Sequence, residues 1–288
     1  MDDLEAAAAE SWEHEEKEGR HFLRFTRGQR LLHATLFTTF LGLAATGLPM
    51  RFSESVWARG LARAVGGFGA ILFFHKLCAV VLTLAFLIHV RDIVTRAFIH
   101  REKGIFWGAN SMVASWKDVK DLFGHIRWFL GLGPRPQFDR YSYWEKFDYW
   151  AVFWGMVVIG FSGYAMWFAP FFAHFLPGWA LNAVLVIHSE EGLLAILFIF
   201  SIHFVNTHLR PDTFPMDMVI FTGIESEEEF KTKRPKEYQR LAAEGKLEAR
   251  LAEAPGIWQL NFSRVVGFTA VAIGLILLVL TLSAYFWH

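Results

Sequence analysis

The chain has 288 residues, 54% hydrophobic and 17% aromatic, with a mean hydropathy of +0.30 and a formal charge of zero. So apolar a composition belongs to membrane proteins and excludes an ordinary soluble domain, and the balanced charge points to no nucleic-acid partner. The single cysteine, Cys78, excludes an intrachain disulfide, a cysteine-ligated iron–sulfur cluster within this chain and a CxxCH haem attachment.

In chain order, residues 1–30 are charged and carry no secretory signal, so they are expected to form a cytoplasmic arm. A first apolar span is predicted over 31–50, with His33 near its start, and a second over 70–90, with His75 and His89 near its two ends. The loop that follows is rich in Lys and Arg. Within it Trp107, Trp116, Val119, Leu122 and Phe123 mix with Lys117, Asp118, Lys120 and Asp121, a pattern expected on a membrane surface or against a partner. A third span covers 149–169 and a fourth 181–205; the fourth carries His188, Glu190 and Glu191 near one end and His203 near the other. Residues 213–264 read as a cytoplasmic charged helical linker, in which 235–255 is a solvated helix weakened by Gly245, and a fifth span runs over 265–287. The fold expected is all-α: an integral membrane bundle of five transmembrane helices with a four-helix core in 31–212. The basic loops place the N-terminus on the cytoplasmic side and the C-terminus on the periplasmic side of a bacterial inner membrane.

The histidines carry most of the functional signal. His75 and His89 are 14 residues apart, and His188 and His203 are 15 apart. Those separations are about 21 to 22 Å of helix, most of a bilayer's hydrocarbon thickness, and they rotate each pair by only about 40° and 60°. Each helix therefore presents one imidazole near each membrane face from one side, and two such helices facing one another would clamp two stacked metal centres. Haem is the physical candidate, because imidazole is a standard axial ligand. His33 lies at the depth of His89 and His203. His208, about 200° around an α-helix from His188, is expected to point away from that ligand face. His14, His21, His100, His125, His174 and His288 read as interface anchors. Haem propionates would find Arg27, Arg30, Arg91 and Arg210 at the inner face, and Arg51, Arg59 and Lys76 at the outer face. Glu190 or Glu191 would hydrogen-bond a ligand imidazole or carry protons.

The segments RLLHATLF, FFHK, and IHSEEG followed by SIH resemble the membrane cytochrome b (gamma) subunit of respiratory formate dehydrogenases and its relatives in nickel–iron hydrogenases. The resemblance covers about residues 20–212 and includes DRYSYWEKFDYW, similar to that family's quinone-side segment, with Glu145 where the family has Gln. It implies an outer haem on His75 and His188, an inner haem on His33 and His203, and a menaquinone or ubiquinone beside the inner haem, contacted by Tyr141, Ser142, Trp144, Glu145 and His203. Three departures are His89, the 15-residue spacing and the fifth span. His89 is similar instead to the cytochrome b of quinol-oxidising bc-type complexes, a wiring that pairs it with His203. A third wiring adds His33 and His208 for three haems.

The resulting expectation is a b-type cytochrome with two haems, or three, conducting electrons between the quinone pool and a redox partner. That partner would be a multihaem cytochrome c or an iron–sulfur, molybdenum or nickel oxidoreductase subunit. The alternatives are a proton-coupled transporter using intramembrane His and Glu, and a haem-free membrane anchor.

Overall fold

A computed structural model of the protein describes residues 19–210 and 213–286; His14, His288 and the arm before residue 19 lie outside the described residues. The fold is all-α, 73% helical, and among the described residues five helices are long and apolar enough to cross a membrane, so this is a multi-pass membrane protein. They are α1 (Arg27–Arg51), α2 (Phe68–Ile99), α3 (Tyr143–Trp167), α4 (Gly178–Leu209) and α5 (Ile257–Phe286).

All five extend beyond the apolar stretches that announced them, and in α2, α3 and α4 the local structure of the extension is specific. Helix α2 continues past Arg91, where Asp92 pairs at 3.6 Å with Arg96 of the closing π turn, Thr95–Ile99. Helix α3 starts six residues before its apolar run, where the Ser142 N–H and hydroxyl both donate to Glu145 (2.7 and 2.6 Å), a capping box that satisfies the first turn. Helix α4 reaches Leu209 through two successive π turns, Ile199–His203 and Val205–Leu209.

The chain forms two compact units. One comprises Leu31–Ile99, Asp148–Asp217 and Val266–His288. In it the helices touch through small residues and single polar contacts. A Cβ on Gly42 of α1 would lie 2.6 Å from Cys78 Sγ of α2, so only glycine allows that approach. The Tyr164 hydroxyl of α3 donates to Thr83 of α2 (2.9 Å), and Phe40 of α1 meets Phe200 of α4 edge-on at 5.9 Å. Gly274 of α5 accepts the rings of Phe200 and Phe204 against its backbone, where a Cβ would clash at 2.6 Å.

The other unit comprises Met1–Arg30, His100–Phe147 and Met218–Val265. Residues 19–30 of the expected arm, the loop and the linker are thus parts of one folded body. Strand β1 (His21–Leu23) lies between β2 (Ile224–Ser226) and β3 (Leu251–Ala252) in a small antiparallel sheet. The 235–255 segment is not one helix. It is helical over Pro235–Ala243, turns at Gly245 with φ of 66°, and re-enters the sheet as β3. Its apolar core is small: Phe22, Phe230, Leu241 and Leu247, with Tyr238 alongside. Around it Glu237, 0% exposed, meets four arginines: Arg234 at 2.6 Å, Arg250 at 2.9 Å, Arg140 at 3.0 Å and Arg24 at 3.5 Å. Burial alone would push the Glu237 carboxyl up; the arginines outweigh it and hold the group below the usual carboxylate range. Glu225, which shares only Arg234 closely, is left above its ordinary value by burial. Asp118, in the segment read as amphipathic, is buried and paired with Lys146 at 2.9 Å. His125 is not an interface anchor: it is 5% exposed and stacks on Phe129. His21 is likewise buried, in β1.

Candidate functional site

Helices α2 and α4 bring His75 and His188 together, with ring centroids 6.2 Å apart and planes at 76°. Imidazole nitrogen is a common ligand of metal ions, and His75 and His188 would be the two residues to share one here. Each ring is tethered from a third helix. The Nδ1 atom of His188 lies 2.9 Å from the Ile159 carbonyl of α3, which sits in a π turn, Met156–Gly160, of the kind often found at functional sites. A carbonyl only accepts, so Nδ1 carries the proton and Nε2 keeps its lone pair. For His75, Nδ1 lies 2.9 Å from the Thr46 hydroxyl of α1, which itself donates to the Gly42 carbonyl at 2.6 Å. That leaves the Thr46 oxygen to accept from Nδ1–H, and again Nε2 is the free nitrogen. Glycines make room for both rings: a Cβ on Gly163 would stand 2.9 Å from His188 Cε1, and one on Gly47 would stand 3.3 Å from His75 Cε1.

The opposite end of α4 repeats the tether with a charge. His203 Nδ1 lies 2.9 Å from the Asp148 carboxylate of α3, which fixes the same tautomer. His33 of α1 is close enough to His203 and His208 for the three imidazoles to interact electrostatically. His208 does not point away from this group, as α-helical geometry predicts; its ring lies 6.5 Å from that of His203. The five-residue step from His203 matches the i→i+5 register of a π turn, so the π turns of α4 bring His208 round to the same side. The structure does not bring His89 to His203. Its Nε2 atom bonds the Tyr149 hydroxyl of α3 at 3.0 Å.

The remaining expected site residues are engaged elsewhere. Tyr141, Ser142, Trp144 and Glu145 gather at the start of α3, where Glu145 closes the capping box with Ser142 and takes Arg24 at 3.1 Å. The ring of Tyr141 faces the guanidinium groups of Arg24 and Arg140, and Trp144 packs on His125 and Phe138. Arg30 donates to the Phe221 carbonyl at 2.9 Å, and Arg210 ends α4 in extended backbone. Glu190 pairs with Arg51 at 2.5 Å and Glu191 accepts from Trp154 at 3.3 Å, so neither bonds an imidazole. Lys76 lies over the Trp167 ring, and Arg59 pairs with Glu54 at 3.7 Å.

No family model matches this chain, and no curated protein does. The resemblance to the cytochrome b subunits therefore stands on the quoted motifs, and the site stands on its geometry. Among the described residues no group of three or more His, Cys, Asp or Glu is set to hold a bare metal ion. Imidazole is a standard haem ligand, and His75 and His188 are the residues that would hold such a group here. Nothing in the local sequence marks Thr46, Ile159 or the π turns as parts of the site. Asp148, a carboxylate beside an apolar run, was the one visible signal.

Proposed function

We propose that the protein is a membrane b-type cytochrome that conducts electrons between the quinone pool and a redox partner, as a subunit of a respiratory oxidoreductase. The observation that carries this reading is that His75, His188 and His203 are each tethered through Nδ1 and each keep Nε2 for a ligand. His75 with His188 would hold one haem b, and His203 with His33 a second. Bound haem supplies one-electron chemistry. The chain's own residues do the rest. Thr46, the Ile159 carbonyl and Asp148 orient the rings, Gly47 and Gly163 give them space, and the apolar helices exclude water. With Tyr149 holding its Nε2, His89 stands outside the ligand set.

The basic loops support an inner-membrane setting with a cytoplasmic N-terminus. A multihaem cytochrome c or an iron–sulfur, molybdenum or nickel subunit would be the partner. The test is a reduced-minus-oxidised spectrum of the purified protein with its haem-to-protein ratio. The expected result is a b-type band with about two haems per chain, and the loss of about one in His75→Ala and in His188→Ala. A protein without haem overturns the reading in favour of a membrane anchor or a proton-coupled transporter.

A further inference from the structure

We propose that the His89–Tyr149 pair is a quinone-ring binding site opening to lipid between α2 and α3, an inference that rests on the quinone-linked reading above. A polar pair inside an apolar span is costly unless it is used, and this one is not spent on orienting a candidate ligand. His89 engages through Nε2, the nitrogen that His75, His188 and His203 keep free. Two adjacent residues of α3 divide the work: Asp148 reaches His203, and Tyr149 reaches His89. The pair is thus one residue along the chain from the group that holds a candidate haem ligand.

The surroundings suit a flat ring with a prenyl tail. Phe153 lies 6.2 Å from the His89 ring and 5.1 Å from the Tyr149 ring, and it also meets Phe86 and Trp150 at 5.0 and 5.1 Å. Trp150, packed on Phe153, is itself 44% exposed, so a tail has an apolar path outward past it. A quinone carbonyl oxygen accepts hydrogen bonds, and the Tyr149 hydroxyl and the His89 imidazole are donors that can turn to it by giving up their mutual bond. The positions that the resemblance suggested suit this role less well, because the Ser142 hydroxyl and the Glu145 carboxylate are already committed to the capping box and to Arg24.

The test titrates the purified full-length protein with two short-tailed quinones, a ubiquinone bearing one isoprene unit and menadione, followed by quenching of tryptophan fluorescence. It compares wild type with Tyr149→Phe, His89→Gln and, as a control, Tyr164→Phe, which removes a different hydrogen bond between the same two helices. Loss of a hydrogen bond to the ring is expected to weaken binding about tenfold in the first two variants, with haem content unchanged, and to leave the control at wild-type affinity. Wild-type affinity in Tyr149→Phe and His89→Gln would make the pair a plain helix tie and overturn the proposal while leaving the quinone-linked reading in place. A haem-containing wild type that binds neither quinone would overturn both.

Discussion

Glu237 in one unit and His188 in the other are polar groups held away from bulk water, and they are satisfied in opposite ways. Glu237 sits among four guanidinium groups, a cluster of full charges that answer one another. The intramembrane imidazoles at 75 and 188 are met by a hydroxyl, a carbonyl and the absence of side chain at two glycines, all neutral. At His203 of the same unit, Asp148 brings a carboxylate to the imidazole. The difference follows from the surroundings. A small apolar core with many basic neighbours settles its buried acid by ion pairing, whereas an apolar span tolerates neutral hydrogen bonds far better than charge.

The largest expected effect comes from removing the charge on the ion-paired side. Glu237→Gln leaves four arginines without their common partner and is expected to cost about 3–5 kcal/mol, read as a lowered thermal midpoint by circular dichroism. The pH dependence has a definite sign. Because the folded pKa of Glu237 is depressed, its stabilisation is fully present above the ordinary value near 4.5 and is lost as pH falls through the folded value. The gap in thermal midpoint between wild type and variant should therefore hold from neutrality to about pH 5 and close in stronger acid. A gap that widens on acidification would break the comparison.

On the neutral side, Gly163→Ala places a Cβ 2.9 Å from His188 Cε1, and the overpacking is expected to cost about 1–3 kcal/mol and to displace the ring. Haem content should fall by about one per chain, while Gly192→Ala, whose Cβ would meet nothing within 4 Å, should keep it. Asp148→Asn sharpens the contrast between the two ends of α4. Losing the carboxylate makes His203 a less basic ligand, so redox titration should show the potential of that centre raised, with ligand affinity down about 10–100-fold. Thr46→Val is the mildest change, about 0.5–1.5 kcal/mol for one neutral hydrogen bond, with a smaller shift in potential at the His75 end. A shift as large as that of Asp148→Asn would show that charge is not what distinguishes the ends.

Much of this architecture was legible in the residues. Five apolar runs of bilayer length define five spans, because a segment without charges has no other stable place than lipid. Helical periodicity also sets which side of its span each histidine occupies, while the approach of His75 to His188 depends on which helices pack together. Tertiary structure decided what periodicity cannot express. The π turns changed the angular step along α4, so His208 joined His203 instead of turning away. Partners distant in sequence, Ile159 for His188, Asp148 for His203 and Tyr149 for His89, set which nitrogen of each ring is free. Three segments that look like an arm, a loop and a linker became one body, because the buried carboxylate of Glu237 draws its arginines from all three. Local composition determines where a segment can reside; which polar atoms meet depends on packing between segments far apart in the chain, and that exists only in the folded protein.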